Sequence, residues 1–292
     1  MMDEKLLQSL ATEMTAKFAV KIQINRSEKI YGGDINESYR VETNEGNWFV
    51  KLNNAKKYPQ LFQREFVGLE ALRATNTVAV PQPMMHGVLH DTAFLITEYI
   101  QKDAARSSFW EEFGQQLSQL HQHTKPFFGF YESNYIGTLK QYNTPYTSWP
   151  VFYAFNRLIP LARLAYDKHH MEKGMLVQIE ALCKRLPQIF PDSPSSLLHG
   201  DLWSGNFMVG KSGAAYMYDP AIYYGHREMD LAMTRLFGGF DNRFYLAYQA
   251  AAPLAPGWQQ RIGICQLYPL LVHYILFGGS YYNSIKEVLQ GV

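Results

Sequence analysis

Cysteine is scarce: Cys183 and Cys265 are the two thiols in 292 residues, far apart and outside any ligand spacing. That excludes a zinc cluster and a disulfide framework and points to a reducing, cytoplasmic setting. Charge is thin as well, at 18% of residues with a net +1. Neither an extended nucleic-acid surface nor an anionic membrane surface has an electrostatic basis here. No run approaches the roughly 18 uninterrupted apolar residues of a membrane span. The first stretch, MMDEKLLQSLATEM, carries acids before its apolar positions and has no signal-peptide pattern. What is abundant is apolar and aromatic material, 47% and 15% of residues, enough for one large or two modest cores and for aromatic-lined concave surface.

The stretch Leu197–Met208, LLHGDLWSGNFM, combines a strand-ending apolar pair with a turn that places Asn206 after four residues from Asp201. This is the spacing of a kinase catalytic loop, in which the Asp accepts the proton of the attacking hydroxyl and the Asn holds magnesium on the nucleotide phosphates. Taken alone, the same residues also suit a surface turn. A β-prone run, AAYMYDPA, then delivers Asp219 eighteen residues after Asp201, a second carboxylate of the kind magnesium needs beside phosphate oxygens. Pro220 and Ala221 stand where a DFG motif has Phe and Gly, so a packing switch built on that Phe is not expected.

Upstream, residues 3–18 space their apolar positions as an amphipathic helix, and Ala19–Tyr31 alternates as a strand. A turn at Gly32 and Gly33 leads to strands Glu37–Thr43 and Asn47–Leu52, joined by Asn44, Glu45 and Gly46. Lys51 lies on the second strand. Glu65 falls beside the apolar stripe of a helix predicted over Tyr58–Ala74, where it can turn inward to meet Lys51 and position the amine on the α- and β-phosphates. Strands Met84–Leu89 and Thr92–Ile100 follow, the latter ending at Glu98, Tyr99 and Ile100, whose backbone would meet an adenine edge. Beyond residue 101 helical patterns dominate: 107–122, 149–166 with a break forced by Pro160, 171–186, 225–237, 243–252, 258–277 and 281–289. Residues 125–149 form a long aperiodic connection. His121 is read as a partner of its helix end. Arg227, Glu228 and Arg235 are read as a solvated face, with Asp230 exempted as a half-buried brace that accepts backbone hydrogen bonds from the catalytic loop.

Together, GGDINESYRV, Lys51 in WFVKL, Glu65 in FQREFVGLEAL, HGDLWSGN, DPAIYYGHREMDLAMTRLFGGF and the segment 134–164 resemble the fructosamine kinase (ketosamine-3-kinase) family. That family is a branch of the aminoglycoside-phosphotransferase-like kinases. The resemblance implies an α+β, two-lobed protein-kinase-like fold. A small antiparallel-sheet lobe over 1–100 would bind nucleotide, and a larger, mainly helical lobe over 101–292 would carry catalysis and substrate. It implies Asp201 as base, Asn206 and Asp219 as magnesium ligands, and Lys51 with Glu65 on the phosphates of ATP. Gly32, Gly33, Glu98, Tyr99 and Ile100 would surround the nucleotide, and Trp203 would stand beside the acceptor sugar. The implied reaction is ATP-dependent phosphorylation of the 3-hydroxyl of a ketosamine, a small-molecule glycated amine, leading to deglycation by a cytoplasmic protein, with a monomer favoured. Some relatives carry a redox-switching cysteine in the Gly-rich turn; Asp34 follows Gly33 here. The alternatives are a kinase for another small alcohol, such as an aminoglycoside, choline or a sugar, and a catalytically silent nucleotide-binding module.

Overall fold

A computed structural model describes residues 2–32, 35–168 and 170–291. The chain divides into two compact units: residues 1–105 with 209–218, and residues 106–208 with 219–292.

The first unit is built on a five-stranded antiparallel sheet in the order β1-β2-β3-β5-β4. Its strands are β1 (Ile24–Ile30), β2 (Glu37–Thr43), β3 (Gly46–Asn54), β4 (Pro83–Leu89) and β5 (Thr92–Glu98), flanked by helices α1 (Glu4–Phe18) and α2 (Leu61–Arg73). Alternation drives the packing: Tyr39 and Val41 of β2, Val50 and Leu52 of β3, and Phe94 and Ile96 of β5 are buried in one cluster with Leu10 and Met14 of α1. β1 begins at Ile24, not at Ala19 as the alternation suggests. Ala19 caps α1 in the left-handed region, and the amides of Ile22 and Gln23 are spent on the side chains of Thr15 and Asn44. α2 likewise starts at Leu61, later than Tyr58, because Pro59 disfavours helical backbone at Tyr58 and Gln60 is left-handed. The strand expected to reach Ile100 stops at Glu98, whose amide turns to the carbonyl of Gln82. Residues 209–218 join this unit by backbone bonds from Met217 to Ala79 and from Asp103 to Val209.

The second unit is mainly helical: α3 (Phe109–Leu120), α4 (Trp149–Tyr153), α5 (Ile159–Asp167), α6 (Lys173–Ile189), α7 (Glu228–Leu236), α8 (Asn242–Ala251), α9 (Trp258–Phe277) and α10 (Tyr281–Gln290). α9 buries residues on every side, among them Leu267, Leu271 and Ile275, and is the post around which this unit packs. α3 and α8 cross closely because Gly114 has no side chain; a β-carbon there would lie 2.2 Å from the carbonyl oxygen of Phe244. Pro160 does interrupt its helix, in a particular way: residues Ala154–Leu158 form a π-helical turn, with the Ile159 amide reaching back to the carbonyl of Ala154. Two expectations are corrected here. His121 is buried, and its ring is bonded to Tyr248 and Asp230 and not to its own helix end. Glu228 is 1% exposed and paired in two bonds with Arg261, not part of a solvated face. Among the described residues no helix is long and apolar enough to cross a membrane.

Candidate active site

In the second unit the strand Ser196–Leu198 pairs antiparallel with Tyr223–Gly225, Leu198 opposite Tyr223. That register lays the loop leaving the first strand against the segment entering the second. The Ala221 amide donates to the carbonyl of His199 at 2.9 Å, and Gly200, at φ +84°, comes close against the Ala221 carbonyl. Asp201 and Asp219 are thereby delivered by two neighbouring backbone segments. Asp219 holds φ +56°, a conformation uncommon outside glycine but more open to Asp than to most residues.

The Asn206 amide nitrogen donates both to the Asp201 backbone carbonyl at 2.8 Å and to its Oδ2 at 3.0 Å. Oδ1 of Asp201 is shielded from solvent and has no hydrogen-bond partner among the described residues. Burial, and then the negative charge of Asp219, push the Asp201 carboxyl up to about 7. A carboxylate anchored by one oxygen, bare at the other and titrating near neutrality suits proton acceptance.

The loop is braced from below. The carboxylate of Asp230 accepts the amides of His199 at 2.8 Å and Gly200 at 2.9 Å, and His121 Nε2 lies 3.2 Å from its Oδ2. Burial alone would raise the Asp230 carboxyl, but the hydrogen bond and charge of His121 outweigh it and hold the group below the usual carboxylate range. Trp203 is half-buried, edge-on to Phe237 with ring centroids 5.6 Å apart. Its ring lies so close over Gly205 that a β-carbon there would stand 2.2 Å from Cη2.

In the first unit Lys51 Nζ lies 2.6 Å from Glu65 Oε1, the two side chains 4% and 12% exposed. β3 carries Lys51 between Ser38 of β2 and Leu95 of β5, and α2 carries Glu65. Gly32 has φ +131° and open space where a β-carbon would point; Gly33 lies outside the described residues. Asn53 steadies the following turn by donating to Asn36 Oδ1 at 2.6 Å. Glu98 is exposed, Tyr99 lies under the Arg40 guanidinium at 5.2 Å, and Ile100 is buried. Lys51, Glu65, Gly32 and Glu98–Ile100 thus belong to the first unit, and Asp201, Trp203, Asn206 and Asp219 to the second. Sequence reasoning missed a buried polar group beneath Ala221 and Ile222, made of Asn134, Gln141, Asn143 and Arg157. Its members sit in the aperiodic connection and the π turn, where no spacing rule marks a residue as buried.

The family profile described as fructosamine kinase matches residues 6–292. The chain belongs to the fructosamine kinase family. A Synechocystis protein assigned as a ketoamine kinase is 36% identical over 97% of this chain and 95% of its own length. The chloroplastic protein-ribulosamine 3-kinase of Arabidopsis thaliana is 35% identical over 92% of this chain and 82% of its own. Among solved structures, one from Thermobifida fusca assigned as a fructosamine-3-kinase superposes with a TM-score of 0.87 at 34% identity, covering 97% of this chain and 98% of that one. An aminoglycoside phosphotransferase, APH(4)-Ia, shares the fold at a TM-score of 0.62 and 13% identity, over 97% of this chain and 98% of its own. The fructosamine kinase fold here is accordingly α+β and protein-kinase-like.

Proposed function

We propose that this protein transfers the γ-phosphoryl group of ATP to the 3-hydroxyl of a ketosamine, with Asp201 as the base. The observation that carries the reading is Asp201 itself: anchored through Oδ2 by Asn206, unpartnered at Oδ1 among the described residues and beside the Asp219 segment. The family membership and the ketoamine and ribulosamine kinase names of its relatives support the acceptor class.

Asp201 orients the acceptor hydroxyl and takes its proton as the oxygen bonds to the γ-phosphorus and the bond to ADP breaks. Lys51, held by Glu65, would hold the α- and β-phosphates; Gly32 would approach the phosphates through its backbone, the same role falls by sequence to Gly33, which lies outside the described residues, and Glu98, Tyr99 and Ile100 would meet the adenine. Trp203 offers an indole face to the sugar. Magnesium fits the donors present. Because Asn206 turns its amide nitrogen to Asp201, its carbonyl oxygen is directed away, and with the Asp219 carboxylate it would supply the hard oxygen donors that magnesium takes. Among the described residues no cluster of three or more His, Cys, Asp or Glu forms a metal site, and magnesium needs none when phosphates complete its shell. When bound, the ion neutralises charge on the phosphates. Most of the rate effect comes from positioning and electrostatics. Breakdown of the phosphorylated adduct, with loss of inorganic phosphate and hydrolysis of the sugar–nitrogen bond by water, returns the free amine, which is deglycation. A monomer in the cytoplasm completes the reading; both cysteines are free thiols, and burial pushes Cys183 up to about 12, away from reactivity.

The test is ADP release with ribulosamine, erythrulosamine and fructosamine adducts, set against an aminoglycoside, choline and simple sugars. Turnover confined to the ketosamines, abolished in Asp201→Asn with ATP binding retained, is the expected result. Preference for another alcohol would overturn the acceptor, and near-normal turnover in Asp201→Asn would overturn the base.

A further inference from the structure

Arg157 heads the largest fully buried side chains, at 0% exposure, and none of the salt bridges among the described residues includes it. Its guanidinium lies over the ring of Tyr223 at 4.1 Å and near that of Phe152 at 4.6 Å. A buried cation facing no carboxylate is expensive unless its hydrogen bonds are used for something. One of them repairs the helix. Pro160 has no amide to offer the carbonyl of Asn156, four residues earlier, and Arg157 Nη1 donates to that carbonyl at 3.1 Å. Nη1 also donates to the carbonyl of Tyr142.

The third bond starts a relay. Arg157 Nη2 donates to Asn143 Oδ1 at 2.7 Å, and since a guanidinium can only donate, it dictates which way that amide faces. Asn143 then presents its nitrogen to Asn134 Oδ1 at 2.9 Å. Asn134, its oxygen so used, turns its nitrogen to the carbonyl of Ile222 at 2.8 Å. Gln141 donates to Asn134 Oδ1 at 2.8 Å and to the carbonyl of Ala221 at 2.9 Å, while its Oε1 accepts the Tyr268 hydroxyl at 2.8 Å. Asn134, Gln141 and Asn143 are 6%, 1% and 1% exposed. The relay therefore runs from a group that only donates to two carbonyls that only accept, and each amide has one orientation that satisfies it.

Those carbonyls belong to the residues just after Asp219 and Pro220. The same segment is held on its other side by the bond from the Ala221 amide to His199. We infer that Arg157 and the Asn143–Asn134–Gln141 relay are positioning residues for Asp219, setting where its carboxylate meets the metal of the nucleotide; this rests on the reading of Asp219 as a metal ligand. Volume alone would not do this, since an apolar filler would leave both carbonyls without donors.

The test uses Gln141→Glu and Asn134→Asp, which keep shape but replace a donor with an acceptor facing a carbonyl, and Tyr268→Phe, which removes one hydroxyl. Binding of Mn²⁺ with ADP is followed by electron paramagnetic resonance, beside calorimetric Tm and the KM for ketosamine. The two acidic substitutions should weaken Mn²⁺ binding about tenfold, as loss of an outer partner of a metal ligand does, with ketosamine KM little changed. Tyr268→Phe should weaken it about threefold and decides the matter if either acidic variant fails to fold. Wild-type Mn²⁺ affinity in the relay variants, with only Tm lowered, would overturn the inference while Asp219→Asn remained impaired. Wild-type affinity in Asp219→Asn would remove the reading of Asp219 and the inference together.

Discussion

Gly200 approaches Ala221 so closely that a β-carbon on it would lie 2.0 Å from the Ala221 carbonyl oxygen. The two residues sit on the segments that carry Asp201 and Asp219, so their distance sets the spacing of the two carboxylates. At φ +84° the backbone also disfavours any side chain. Gly200→Ala is expected to destabilise by at least about 2 kcal/mol and, by pushing the segments apart, to lower kcat by more than about tenfold. Calorimetry and steady-state kinetics check both; a stable, fully active variant would show that the segments tolerate separation.

The Lys51–Glu65 pair separates stability from function. Removing one partner of a buried pair is costly, so Lys51→Met should lower stability by about 3 kcal/mol. Adding Glu65→Leu replaces the pair with apolar volume and should restore most of that loss, without restoring nucleotide affinity. Denaturant melts and ADP titration of the single and double variants measure the two effects. Recovery of ADP binding in the double variant would remove Lys51 from the phosphate site.

What could be read in the chain beforehand follows from where periodic or fixed spacing exists. The Lys51–Glu65 contact was legible because Glu65 borders an apolar helical stripe, and a stripe says which way a helix faces. The bracing role of Asp230 was legible from its apolar neighbours Met229, Leu231 and Ala232. Glu228 escaped because it adjoins those same neighbours yet pairs with Arg261, thirty-three residues on, and sequence spacing does not report so distant a partner. His121 escaped for the same reason, its partners Tyr248 and Asp230 being more than 100 residues away. The amide relay under Ala221 was illegible because Asn and Gln in an aperiodic connection look like surface; only the fold reveals which buried carbonyls their amides serve.

Asp230 offers a sharper test of the brace. Asp230→Asn keeps one acceptor oxygen and turns an amide group toward a backbone N–H that needs an acceptor. One of the amides of His199 and Gly200 is then left buried and unsatisfied, at about 2 kcal/mol or more. Thermal melts should show that loss, and kcat should fall further than ATP affinity, because the displaced loop carries Asp201. An unchanged kcat would mean the loop keeps its shape without the carboxylate.

The acid sensitivity of the fold should trace to His226. This side chain is 3% exposed, packed between the rings of Phe190 at 5.2 Å and Trp149 at 5.9 Å, and its Nε2 has no partner among the described residues. Burial, then the charges of Arg261 and Arg227, depress its pKa to about 3. Glu228, 3.9 Å away, could favour the protonated ring, but it is committed to Arg261 through bonds of 2.8 and 2.6 Å. In the unfolded chain the same imidazole titrates near about 6.5. Below that pH the unfolded state binds a proton that the folded state refuses, so stability falls as pH falls, by about 1.4 kcal/mol per unit and about 2 kcal/mol by pH 5. His226→Phe keeps the ring between Phe190 and Trp149 and gives up only a long 3.4 Å contact from the Glu228 amide, a small loss that does not vary with pH. Unfolding free energy measured in urea from about pH 6.5 down to 4.5 should therefore decline less steeply in the variant, by about 1.4 kcal/mol per unit. Equal slopes in the two proteins would place the acid-sensitive group elsewhere.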